Sequence, residues 1–293
     1  MSRGGGALPF PRRPIKIPGM SDSFQITRLD AGRKTNYRNL AAALESANLA
    51  RETWLFVSPH DDDLCLSCGL LMQQAVAEGV NVQVLVVTDG RMGYCTLEQR
   101  DTIAEIRRGE TYESFGLLGV PKQNIDYVAY PDGGLTALCG RRKATPSDEI
   151  KAIQGYVGLQ NAFTYHLRRT RATRVFVPTS ADLHPDHQVT HNELMICLFH
   201  AAGTIWPELG EPLTDVPKVY ELAVYCDFPA PPQLEIKSGA GPFEKKLASI
   251  AAYRSQTQIA RLVESIRQAG PTEYVRELNF RFYSPNNYKP MFA

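Results

Sequence analysis

Cysteine is scarce in this chain of 293 residues, with six at positions 65, 68, 95, 139, 197 and 226. So sparse and irregular a set makes no disulfide framework and fits a reducing, cytoplasmic setting. Long apolar runs are missing too. The longest, Leu194 to Phe199, stops at His200, far short of the roughly 18 residues a membrane span needs. Neither sign of charge prevails: 32 basic against 31 acidic side chains leave a net charge of +1, and no stretch concentrates an excess. Nucleic acid is therefore set aside as a partner. The opening MSRGGGALPFPRRPIKIPGM has Pro and Gly where a secretory signal would carry its apolar segment; residues 1–22 read as a flexible arm ahead of one folded unit over 23–293.

What is present is an alternation of short β-branched runs with longer helical patterns. Trp54–Ser58, Val82–Thr88, Ile125–Tyr130, Arg174–Pro178 and Lys218–Tyr225 read as strands, the second with five valines or leucines in seven residues. Helices are expected over Ser67–Glu78 with Gly79 as its cap, from Leu97 to Leu118, around Asp148–Arg168, from His187 to Phe199, and on either side of Tyr253 and Arg261. This order predicts an α/β fold, a Rossmann-like, mostly parallel sheet with helices on both faces. Cys65 and Cys68 form a CxxC with no second pair, and they read as small packing residues at a helix start.

In such folds ligands bind beyond the carboxyl ends of the strands. Those places hold Pro59-His60-Asp61-Asp62-Asp63, Asp89-Gly90-Arg91, Pro131-Asp132-Gly133-Gly134 and His184-Pro185-Asp186-His187. A His and a carboxylate three residues apart can turn toward one point, and a His from another strand end completes the three-ligand pattern of catalytic zinc. His60, Asp63 and His187 are the predicted ligands. Zn2+ is the expected metal, with Fe2+ or another divalent ion able to replace it because mixed nitrogen and oxygen ligands select weakly. Asp62 adjoins this set and is free to take a proton from an attacking water, as general base. His184, as an imidazolium, would stabilise an oxyanion and protonate a departing amine. Asp186 is placed to orient one of the imidazoles.

The ordered motifs resemble those of the LmbE-like, or PIG-L, deacetylases. Ser58-Pro59-His60-Asp61-Asp62-Asp63, Val86-Val87-Thr88-Asp89-Gly90, Arg107-Arg108-Gly109-Glu110, Tyr130-Pro131-Asp132-Gly133, His184-Pro185-Asp186-His187 and Tyr253-Arg254-Ser255-Gln256 carry the likeness, over about residues 54 to 256. The resemblance implies a zinc-dependent hydrolase that removes acetyl groups from N-acetylglucosamine-type amides. It implies the same ligands, base and acid, and that Arg107 and Asp132 contact the sugar or its phosphate-bearing aglycone. On the residues alone, Arg107 reads as a surface salt bridge toward Glu110 and Asp132 as a turn residue. The chain departs from the family's pattern at Asp61, where Pro is usual, and at Leu64, where an acid is usual. Asp61 adds a third carboxylate beside the expected base.

The expected partner is thus a small N-acetylated sugar conjugate, and a homo-oligomer is compatible with the sequence. Two other functions fit the same residues: an amidohydrolase acting on a non-sugar N-acyl substrate, and a non-catalytic, metal-dependent sugar-binding protein. Arg141, Arg142 and Lys143, in the loop after Asp132, read either as a solvated cluster or as a hold on an anionic substrate group.

Overall fold

Nine strands form one sheet in the computed structural model, which describes residues 23–280 and 283–293. The strands are β1 (Gln25–Asp30), β2 (Arg33–Tyr37), β3 (Thr53–Ser58), β4 (Asn81–Thr88), β5 (Ile125–Tyr130), β8 (Arg174–Pro178), β9 (Lys218–Leu222), β10 (Leu234–Lys237) and β11 (Thr272–Leu278); β6 (Arg142–Lys143) and β7 (Tyr156–Val157) make a separate small ribbon. The sheet runs β2-β1-β10-β11-β9-β8-β3-β4-β5. From β5 to β9 neighbours are parallel, and from β9 to β2 they are antiparallel. The helices are α1 (Leu40–Ala43), α2 (Asp63–Ala77), α3 (Ile103–Leu117), α4 (Leu159–Thr170), α5 (Pro185–Ala202), α6 (Ala240–Ala251) and α7 (Ile259–Ala269). The expected arm, 1–22, lies outside the described residues.

The parallel strands are apolar at nearly every position because both of their faces are covered. Trp54 and Phe56 of β3 enter the core shared with α2, α3 and α6, while Leu55 and Val57 enter the one beneath α4 and α5. Phe56, Phe176 and Tyr220 stack across three strands at centroid distances of 4.3 and 4.9 Å, a geometry that adds to area burial. Chain order changes direction at β3, with β4 on one side and β8 on the other. That switch point is where an open α/β sheet leaves a crevice.

Three predicted boundaries move, each for a local reason. The second helix begins at Asp63, not Ser67, and breaks at Cys68 (φ −143°). The amides of Leu70 and Leu71 beyond the break donate to the buried carboxylate of Glu273 at 2.8 and 3.0 Å, and Lys246 neutralises that carboxylate at 2.7 Å. Gly79, at φ +83°, follows the helix as expected of a left-handed terminator. Helix α3 starts at Ile103 because Thr96 and Gln99 form a capping box on a separate short turn. The helix expected around 148–168 is α4 alone: Gly158 sits at φ +113°, where an added Cβ would lie 2.3 Å from the Gly140 carbonyl, so the chain before it folds into the β6/β7 ribbon instead. Cys65 and Cys68 are packing residues as read: both are fully buried, and burial pushes both thiols up.

One cation organises the far end of α5. Arg168 on α4 donates to the carbonyls of His200, Ala201, Gly203, Ile205, Trp206 and Gly210 at 2.6–3.2 Å, satisfying groups that a helix end and its following turn leave open. Arg168→Met should lower stability by about 3–5 kcal/mol, read as a lower denaturant midpoint with an unchanged slope. A change below about 1 kcal/mol would mean that water replaces the guanidinium without loss. No described helix is long and apolar enough to cross a membrane.

Candidate active site

The loop from Pro59 to Asp63 leaves β3 at the switch point with its first four carbonyls tied down. Pro59 O accepts from Thr88 Oγ1 and N of β4 (2.8 and 3.1 Å), His60 O from Ser58, Asp61 O from Tyr253 (2.5 Å), and Asp62 O from Cys65 Sγ (3.0 Å). With the backbone fixed, the side chains fan out from one place. Asp63 opens α2 and accepts the His60 amide at 2.8 Å, and α5 brings in His184 at its N-cap and His187 in its first turn.

His60, Asp63 and His187 converge. The separations are 3.1 Å from His60 Nδ1 to His187 Nε2, 3.4 Å from His60 Nδ1 to Asp63 Oδ2, and 3.2 Å from His187 Nε2 to Asp63 Oδ2. Donors held about 2.0–2.2 Å from a tetrahedral ion lie roughly 3.3–3.6 Å apart, and a triangle with sides of 3.1–3.4 Å comes within about 0.2 Å of that, as a metal of zinc's size needs. A second sign is Asp63 Oδ1, a buried carboxylate oxygen with no hydrogen-bond partner. The electrostatics agree: burial works against a charge on His60, yet Asp63, Asp132 and Asp186 hold its pKa well above the ordinary value. The surroundings are built to enclose positive charge. His60, His184 and His187 also form a metal-capable trio, as do His60, Asp132 and Asp186.

The other edges of the two imidazoles are oriented by carboxylates. His60 Nε2 faces Asp132 Oδ1 at 3.3 Å and Asp186 Oδ2 at 3.5 Å, and Asp186 is itself held by the amides of Gly133 and Leu135. Asp186 therefore stands where the sequence placed it, beside an imidazole. His187 Nδ1 faces Asp182 Oδ2 at 3.1 Å, a partner the sequence reading missed; its only signal was a carboxylate just past a strand end. Outer partners of this kind fix which ring nitrogen is free to ligate. Asp132 is no mere turn residue, since its other oxygen also accepts the Met92 amide at 3.0 Å.

The three carboxylates of the Asp61–Asp63 run separate by environment. Asp61 is buried in a two-pronged pair with Arg107, Nε to Oδ2 at 2.8 Å and Nη2 to Oδ1. Arg107 is consequently not a surface residue paired to Glu110; Glu110 instead accepts the amide and hydroxyl of Ser255 at 2.8 and 2.6 Å. Asp62 faces the cleft, with one oxygen fixed by Gln256 Nε2. The sequence assigned Gln256 to a motif and gave it no role. Leu64 is buried in the core that the sheet shares with α2, α3 and α6.

His184 borders the same cleft, its ring edge-on to His60 at 4.6 Å. Its Nδ1 accepts the Asp186 amide at 3.3 Å, so a neutral ring carries its hydrogen on Nε2. Burial and the neighbouring His60 and His187 lower its pKa. Tyr225, also unforeseen, stacks on His187 with centroids 5.0 Å apart. The cleft measures about 570 Å³ and is lined by His60, Asp62, Arg107, Asp132, His184 and Gln256 among others. The cluster at 141–143 does not line it: Arg141 pairs with Glu208 and lies over Tyr156, and Arg142 pairs with Asp148.

These residues fall in a segment with known counterparts. A family model described as PIG-L, GlcNAc-PI de-N-acetylase, matches residues 55–198. Just under half of the chain is thus similar to the PIG-L family. It is 28% identical over 232 residues to a 1D-myo-inositol 2-acetamido-2-deoxy-alpha-D-glucopyranoside deacetylase 2 of Saccharopolyspora erythraea, across 70% of this chain and 84% of the relative. Among solved structures, a conserved protein of Thermus thermophilus superposes with a TM-score of 0.60 at 26% identity, covering 79% of this chain and 97% of that one. An N,N'-diacetylchitobiose deacetylase of Pyrococcus horikoshii shares the fold, with a TM-score of 0.60 at 23% identity and coverage of 86% and 94%. The PIG-L match spans every predicted ligand but ends before Tyr225 and Gln256, which reach the cleft from later segments.

Proposed function

We propose that this protein is a metal-dependent hydrolase that removes an acetyl group from the amine of an N-acetylglucosamine-type conjugate. The observation that carries the reading is the triangle of His60 Nδ1, Asp63 Oδ2 and His187 Nε2, 3.1–3.4 Å on a side, beside the cleft-facing carboxylate of Asp62. His60, Asp63 and His187 would hold the metal, with zinc preferred. A divalent ion there supplies a Lewis acid for the acetamide carbonyl and makes a water easier to deprotonate. Asp62, steadied by Gln256, accepts the proton of the attacking water. His184 donates from Nε2 to the oxygen on which negative charge develops. Asp62, now protonated, returns the proton to the departing amine. Asp132 and Asp186 orient His60, and Arg107 forms the back wall of the sugar site by holding Asp61 clear of the reacting groups.

The deacetylase of Saccharopolyspora erythraea supports the acetamido-sugar class. We read residues 23–293 as one catalytic unit, since a single sheet takes strands from residue 25 to 278. A cytoplasmic setting fits six cysteines that are all unpaired. The test is acetate release from N-acetylglucosaminides by protein stripped with a chelator and then reloaded with zinc. Release should fall to background after stripping and return on reloading. Undiminished release from stripped protein would refute the metal-dependent mechanism, and no release from any N-acetylglucosaminide would refute the substrate class.

A further inference from the structure

The mouth of the cleft carries apolar side chains that core packing does not require. Met92 is 70% exposed, Tyr94 67%, Leu183 78% and Tyr225 58%, and all four line the cleft that holds His60, Asp62 and His184. Exposed apolar residues scattered singly are ordinary on any surface. These come from three separate loops, after β4, β8 and β9, and meet at one opening. Three of the four backbones are anchored: Met92 N donates to Asp132 (3.0 Å), Tyr94 O accepts from Thr257 N (3.1 Å), and Tyr225 N donates to Asp182 (3.2 Å). Leu66 and Leu262 extend the apolar lining inward.

The charges point the same way. Asp62 and Asp132 line the cleft, and its one arginine, Arg107, is engaged by Asp61 through Nε and Nη2, its Nη1 being buried without a hydrogen-bond partner. Arg91 folds back onto Asp89 at 2.7 Å. The side chains exposed at the mouth are mainly apolar, and among the described lining residues no guanidinium or ammonium is exposed there to grip an anionic group, since Arg107 is buried. We propose that the part of the substrate beyond the acetamido sugar is uncharged and apolar, an alkyl or aryl aglycone, and that a phosphate in that place is selected against. This rests on the deacetylase reading and narrows its substrate class; it departs from the phosphate-bearing aglycone that the family resemblance implies.

The experiment compares acetate release by the metal-loaded protein from the methyl, octyl and phenyl glycosides of N-acetylglucosamine, its 1-phosphate, and N,N'-diacetylchitobiose. Octyl and phenyl glycosides should show kcat/KM at least tenfold above the methyl glycoside, and the 1-phosphate should fall below it. The double substitution Met92→Gln/Leu183→Asn should bring the octyl-to-methyl ratio to within about threefold of one, because it removes the apolar surface that the longer chain covers. A 1-phosphate turned over as well as the methyl glycoside, an octyl glycoside no better than it, or chitobiose equal to the octyl glycoside would overturn the inference. Calorimetry with the octyl glycoside and the 1-phosphate separates the two readings. If no compound releases acetate, the deacetylase reading fails, while tenfold tighter binding of the octyl glycoside still supports an apolar mouth. Equal binding, or none by either, counts against it.

Discussion

Asp62→Asn should retain its metal and lose turnover by roughly 10²- to 10⁴-fold, the usual contribution of a positioned general base. The substitution keeps the shape of the side chain and removes only its ability to take a proton. Asp62 contributes no donor to the His60, Asp63 and His187 triangle, so metal content by elemental analysis should match the parent. The control is Asp61→Asn. Asp61 is buried against the Arg107 fork, and removing its charge strands a buried guanidinium, an event that costs about 3–5 kcal/mol. Asp61→Asn should therefore lower the melting temperature, whereas Asp62→Asn should not. The reverse pattern, an active Asp62→Asn and a normally stable but inactive Asp61→Asn, would move the base by one residue.

The second large effect concerns the metal itself. His187→Ala removes one of three donors from a buried site, and the purified protein should carry almost no tightly held divalent ion. Asp182→Asn leaves all three donors but weakens the hold on the His187 ring; affinity should drop about 10- to 100-fold, the usual effect of losing an outer partner. Elemental analysis checks the first, and competition with a coloured chelator the second. Full metal and full activity in His187→Ala would dissolve the triad, and unchanged affinity in Asp182→Asn would show that packing alone orients the ring.

The parallel half of the sheet was legible because strands covered on both faces must be apolar throughout, as Val84–Val87 is. The antiparallel half was not. β1, β2, β10 and β11 are largely polar, with Ile26 the single fully covered position of β1, so their pattern resembles a loop. The proposed metal ligands stood out in the sequence because such chemistry demands particular residue types at strand ends. Asp182, Tyr225 and Gln256 were not, because their roles rest on contacts that the fold makes: Gln256 meets Asp62 over a separation of 194 positions. No spacing rule anticipates that. Arg107 was visible as a motif, but its partner Asp61 was read as a surplus acid; only the fold brings the two together.

The polar contacts of the loop at 59–63 join segments far apart in the chain. The loop at 59–63 is made early in the chain, yet Asp61 O waits for Tyr253, Asp62 waits for Gln256, and the broken helix behind them waits for Glu273. During synthesis, segments from residue 55 to 198 can form their own strands and helices, but β9 and β11 are still missing from the sheet at that stage. Residues 55–198 alone would lack β9, which pairs with β8 in the completed sheet. If the proposed ion is held as argued, its affinity should rise only once residues 253–273 are in place, and metal binding would report completed folding.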